Sequence, residues 1–129
     1  MLRVSGYWLI ATSIIHVLVG AWLYAEPLAD IARNGLFNAV DPEFDRNAAF
    51  WFMMIAPLLF TLGQLCCWAQ AQSIDLPAFV GWYLLAISVV GVVLMPISAF
   101  WLLIPPAVLI LLASPAITLR SSGSTRESD

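Results

Sequence analysis

The chain has 129 residues, of which 62% are hydrophobic and only 10% charged, with a mean hydropathy of +0.93 and a formal net charge of −3. A water-soluble domain is about 45–50% apolar and about 25% charged, so this chain cannot cover a water-facing surface and reads as an integral membrane protein, with a secreted protein whose start misleads as the alternative. It has no lysine, its arginines sit at or beyond the ends of the apolar stretches, and no basic patch meets a phosphate backbone; a soluble enzyme, a nucleic-acid binder and a disordered tail are excluded.

A bilayer core takes about 20 apolar helical residues, within a range of roughly 17–25. The first such stretch runs from about Ser5 to Tyr24. Arg3, the apolar run from Gly6 to Ala25 and the passable cleavage site Leu23-Tyr24-Ala25 together mimic a signal peptide. The run exceeds the usual apolar core of about 7–15 residues, carries His16 and precedes further spans, so a retained helix is expected.

Between the first and second spans, Pro27 suits the first turn of a helix, and Leu28, Ile31, Ala32, Leu36 and Val40 recur at helical spacing. A short amphipathic helix lying in the interface is predicted from about Pro27 to Ala39, weakened by Gly35. Asp41-Pro42-Glu43 then reads as a helix start, with Asp41 as cap and Pro42 in the first position. The second span runs from about Ala48 to Gln70, the third from about Ala78 to Met95 and the fourth from about Ser98 to Leu119.

No charge lies between Asp75 and Arg120, a distance of roughly 65 Å as helix, about twice the hydrocarbon thickness. The chain must fold back there, and Met95-Pro96-Ile97-Ser98 is the expected place, with Pro96 breaking the ladder and Ser98 capping the next helix. Trp8 and Trp22, Trp51 and Trp68, and Trp82 and Trp101 mark the span ends as an aromatic belt.

The expected fold is all-α: a four-helix transmembrane bundle over residues 1–119 with a short interfacial helix between helices 1 and 2, followed by a disordered polar tail over 120–129. Four spans put both termini on one side. Arg3, Arg120 and Arg126 on that side outnumber Arg33 and Arg46 on the other, so both termini are expected in the cytoplasm.

Few residues carry chemistry. His16 is the one ionisable residue in mid-span, on a face shared with Ser13, Thr12 and Gly20. It reads either as an interhelical hydrogen bond to Gln64 or to a backbone carbonyl, or as a ligand-binding or proton-moving group. Gln64 is the second intramembrane polar residue, either structural glue or an orienting group. Gly81, Ser88 and Gly91 form a small-residue stripe for close packing within the chain or in a homodimer.

Pro105-Pro106 forces the fourth span to kink or to begin irregularly, with Phe100, Trp101 and Pro105 beside a pocket as the sharper reading. Asn38 is placed to reach back to the bundle mouth, and the carboxylates Glu26, Asp30, Asp41, Glu43 and Asp45 crowd the same rim with Arg33 and Arg46. The neighbouring Cys66 and Cys67 read as small hydrophobes, with acylation as the alternative. One histidine cannot assemble a metal centre from a single copy, and no cofactor is expected. Haem shared by His16 of two copies would colour the purified protein red.

Gly6-Tyr7-Trp8-Leu9 with Ile15-His16 and Gly20, Gly35-Leu36-Phe37-Asn38-Ala39-Val40, Ala49-Phe50-Trp51-Phe52, and Met95-Pro96-Ile97-Ser98-Ala99-Phe100-Trp101-Leu102 with Pro105-Pro106 together resemble a bacterial family of small four-helix membrane proteins known only as a domain of unknown function. The resemblance covers nearly the whole chain before the tail. It implies a bacterial inner-membrane protein and places His16, Asn38 and the Pro96–Trp101 region in the family signature, with no activity attached. The plan is also distantly similar to that of DoxX-type four-helix membrane proteins, a likeness of fold alone.

The expected function is to bind a hydrophobic small molecule, lipid or partner protein within the helix bundle, through His16, Ser13, Asn38, Gln64, Trp101 and Pro105. The alternative is a membrane-embedded enzyme acting on a quinone, isoprenoid or sterol-like lipid, with His16 as general acid or base beside a rim carboxylate such as Glu26 or Glu43. A small transporter or channel subunit is a third reading, and would need oligomerisation.

Overall fold

The structure, a computed structural model, describes residues 2–114. Among them every regular element is helical: α1 (Leu2–Leu23), α2 (Ala25–Arg33), α3 (Phe44–Ala71), α4 (Ala78–Leu94), a 3₁₀ helix (Ala99–Leu103) and α5 (Ile104–Ala113). The expected end of the fourth span at Leu119 and the polar tail 120–129 lie outside the described residues. By length and composition α1 and α3 are able to cross a membrane, whereas α4 and the Ala99–Ala113 stretch are shorter apolar helices.

The residues form two compact units, one over Ile10–Thr61 and the other over the rest. In the Ile10–Thr61 unit, α1 and α3 run antiparallel, since Ser13 meets Ala56 while the later Gly20 meets the earlier Phe52 and Met53. The two are joined through α2 and a loop. The amphipathic helix is displaced and shorter than predicted. It begins at Ala25, with Pro27 in the first turn where no amide hydrogen is needed, and ends at Arg33. Gly35 (φ +87°) takes the left-handed position just past the helix, and the Leu36 amide bonds back to Ile31 O at 3.3 Å. That closure satisfies the last carbonyls, so continuing the helix to Ala39 gains nothing.

The start of α3 also differs from the sequence reading. Asp41 does not cap the helix; its Oδ1 accepts from Asn47 Nδ2 at 3.1 Å, and the first helical hydrogen bond runs from Asn47 N to Glu43 O. At the far end Ser73 (φ 56°) terminates α3, with Ile74 N bonded to Ala69 O at 2.8 Å.

The second unit contains the α4–α5 hairpin, and its order of contacts is antiparallel: Ser114 Oγ donates to Leu76 O at 3.1 Å, Gly81 faces Ala107 and Leu111, and Gly91 faces the Phe100 ring. The stripe of Gly81, Ser88 and Gly91 is buried, and its two glycines are spent on packing inside the chain. A side chain at Gly91 would overlap the Phe100 ring. Gly91→Leu is therefore expected to cost about 1–3 kcal/mol, read as the unfolding midpoint in detergent, with part of the loss returned by Phe100→Ala in the same chain.

The turn lies where expected. α4 stops at Leu94, Met95 leaves helical geometry ahead of Pro96, and Ser98 caps the 3₁₀ helix by accepting from Phe100 N while donating to Met95 O. Pro105 and Pro106 do not kink a helix; they open α5, where their missing amide hydrogens cost least.

Candidate functional site

His16 lies on α1 two turns before its end, and its Nε2 is 2.9 Å from Phe52 O on α3. A carbonyl only accepts, so Nε2 carries the hydrogen and donates. The imidazole also stacks on the Phe52 ring, with centroids 4.0 Å apart and planes 10° from parallel, and the Tyr24 ring makes a second, tilted contact with Phe52 at 5.2 Å. One turn earlier, buried Ser13 donates to Ala56 O at 2.9 Å. Both accepting carbonyls lie within about a turn and a half of Pro57, the proline inside α3. Gly20 lets α1 approach closely, because a side chain there would strike Phe52 and Met53.

Of the two partners foreseen for His16, a backbone carbonyl holds it; Gln64 is exposed on α3 in the other unit. Among the described residues no carboxylate forms an ion pair with His16. The rim carboxylates Glu26, Asp30, Glu43 and Asp45 instead line a cleft of about 190 Å³ with Pro27 and Arg46. Arg46 donates from there to Ala39 O at 3.2 Å, and Arg33 pairs with Asp30 at 3.2 Å on the surface, a contact of about 0–1 kcal/mol. Asn38 is exposed in the loop with φ 51°. The structure thus brings Ser13 and His16 together, and leaves Asn38 exposed.

Trp101 and Pro105 serve the second unit. The Trp101 indole donates to Pro96 O at 3.0 Å and holds the turn, and Pro105 is exposed in the first turn of α5. Sequence reasoning missed the part played by Trp8. Its indole N–H donates to Leu102 O at 2.7 Å. The residues three and four beyond Leu102 are Pro105 and Pro106, so neither a 3₁₀ nor an α-helical amide can reach that carbonyl. Trp8 supplies the donor that the proline pair removes. The adjacency of the two prolines was the available signal. Gln70, whose Oε1 accepts from the Arg3 amide at 2.9 Å, was also missed.

An open apolar groove of about 420 Å³ runs along α4 between Ala86, Ile87, Val90, Gly91, Leu94, Met95 and Phe100. Of Phe100, Trp101 and Pro105, which the sequence reading set beside a pocket, Phe100 lines this groove, and none of the six nominated ligand-binding residues does. Cys66 is buried and Cys67 half-buried with its sulfur beside Gly6, both as free thiols. No group of residues able to hold a metal ion occurs among the described residues.

Comparison with curated proteins and with solved structures returns no match. The model of a family of unknown function, DUF6463, matches residues 1–116, through both units and every helix described above, and the chain belongs to that family.

Proposed function

We propose that the protein is a multi-pass membrane protein whose four crossing segments form a helix bundle, and that it binds a hydrophobic small molecule or lipid chain in the groove along α4. The observation that carries the membrane reading is an inverted placement of side chains. Ser5, Thr12, Ser13, Ser88 and Ser114 are buried, while Leu18, Trp22, Leu58, Val93 and Leu94 are 65–78% exposed. In water, contiguous apolar surface beyond a few hundred Å² is not sustained on a monomer. In lipid no hydrophobic force draws large side chains inward, so small and polar residues take the helix contacts.

The apolar windows of α1 and α3 are only 33% and 22% buried, unlike the core helix of a soluble domain. α1 also makes contacts the rest of the chain depends on, at Gly6, Trp8, Ser13 and His16, which supports its retention as a helix. α4 and the Ala99–Ala113 stretch are each about 25 Å long, near the lower limit for a span, and a slightly thinned bilayer or flanking anchors accommodate such segments. In this reading both termini face the cytoplasm, the side favoured by the arginine count.

The groove supports binding by its chemistry and size: its lining is aliphatic and aromatic, and its volume falls in the roughly 300–1,000 Å³ range of small-molecule sites. The test is mass spectrometry of small molecules that co-purify in mild detergent. A discrete apolar molecule is expected with the wild type and with His16→Ala, and is expected to be lost from Ala86→Trp, which fills the groove from its open side. Loss with His16→Ala alone would move the site to His16. Bulk lipid alone in every sample would overturn the binding reading.

A further inference from the structure

We infer that the Gly35–Asn38 turn is a membrane anchor that inserts Leu36 and Phe37 into the lipid leaflet at the headgroup boundary. The inference rests on the membrane reading above and adds a second, loop-borne contact with lipid. Leu36 is 70% and Phe37 94% exposed, and a side chain at Gly35 would meet nothing within 4 Å, so the turn stands clear of its unit. Its backbone is held, since Gly35, Leu36 and Asn38 all have positive φ (87°, 65° and 51°), and Phe37 N bonds to Gly35 O at 2.7 Å and Leu36 N to Ile31 O at 3.3 Å. A bulky leucine rarely adopts this conformation, and here it turns two large apolar side chains outward.

The position within the unit identifies the occupant. α1 and α3 are antiparallel, so the end of α1 and the start of α3 meet at the end that carries this turn. Trp22 and Trp51 are both exposed at that end, and indole rings mark the headgroup level. Leu36 and Phe37 are exposed in the connection at that same end. Charge excludes a polyanionic partner: Glu26, Asp30, Asp41, Glu43 and Asp45 outnumber Arg33 and Arg46 in the same connection, which fits a zwitterionic lipid surface.

The test uses the full chain in phosphatidylcholine nanodiscs, with Cys66→Ala and Cys67→Ala as background. Single cysteines replace Phe37, Asn34 or Leu58, each exposed in the structure, and carry an environment-sensitive fluorophore. At Phe37→Cys, strong quenching by lipid bearing a nitroxide near the headgroup is expected, with aqueous iodide quenching several-fold weaker than at Asn34→Cys. Iodide quenching at Phe37→Cys equal to that at Asn34→Cys, with Leu58→Cys still quenched by lipid, would overturn the anchor and leave the membrane reading standing. Iodide quenching at Leu58→Cys would overturn both. Protection of Phe37→Cys from both quenchers would mean that protein covers the turn, and would also overturn the anchor.

Discussion

Trp8→Phe is expected to destabilise the protein by about 1–2 kcal/mol, the cost of leaving a half-buried acceptor without its donor. The substitution keeps the aromatic bulk and removes only the indole N–H that reaches Leu102 O at 2.7 Å. That carbonyl has no substitute within its own helix, because Pro105 and Pro106 occupy the two positions from which an amide would reach it. Equilibrium unfolding in mixed micelles measures it, with Trp82→Phe as control, since Trp82 is exposed and a surface change of this kind costs within about 0.5 kcal/mol. Pro105→Ala supplies the proof of mechanism. It returns an amide three residues beyond Leu102, the spacing of the 3₁₀ ladder, at an exposed position. Trp8→Phe is then expected to cost about 0.5 kcal/mol or less, a coupling of the size seen between residues that share a partner. Equal costs in both backgrounds would refute the account.

The second large effect is expected at His16. His16→Ala removes an interhelical hydrogen bond worth about 0.6–2 kcal/mol in a membrane bundle and a ring stack worth about 0.5–1.5 kcal/mol, so a loss near 2 kcal/mol follows. His16→Phe keeps the stack on Phe52 and lacks the donor to Phe52 O, and is expected to recover about half of the loss. If His16→Phe proves as damaging as His16→Ala, the stack contributes nothing. If neither variant changes the unfolding midpoint, His16 is not the clamp between α1 and α3, and its cost in the membrane must be repaid by a ligand.

The two effects share one feature, a side chain that donates to a main-chain carbonyl of another helix. Prolines inside or at the start of membrane helices leave carbonyls that the helix cannot serve, and a side chain from another helix takes over. Trp8 does so for the Pro105-Pro106 pair; Ser13 and His16 instead donate to Ala56 O and Phe52 O, carbonyls whose amides four residues on, at Phe60 and Ala56, are intact. In water such carbonyls would be solvated and the donors would gain little.

Composition was enough to set the chain apart from soluble domains, because 62% apolar content with 10% charge departs far from their usual balance. Local rules were enough for much of the helix layout. Hydrophobic length marked α1 and α3, and Pro96 with Ser98 placed the turn before the 3₁₀ helix, since these depend on residues a few positions apart. Local rules failed where two local solutions compete. Asp41 had a choice between capping a helix and binding the Asn47 side chain, and Gly35 between weakening a helix and ending it.

The partners of His16, Trp8 and Ser13 lie 36 to 94 residues away, and no periodicity encodes which carbonyl a side chain will meet. The sequence pattern showed that His16 needed a partner, because a polar group in hydrocarbon must have one. Only the antiparallel packing of α1 on α3 chose Phe52 O over Gln64, by bringing that carbonyl to 2.9 Å from the ring. The groove along α4 was hidden for the same reason: it forms where the Phe100 ring rests on Gly91, a contact made by the fold of the hairpin and not by either residue alone.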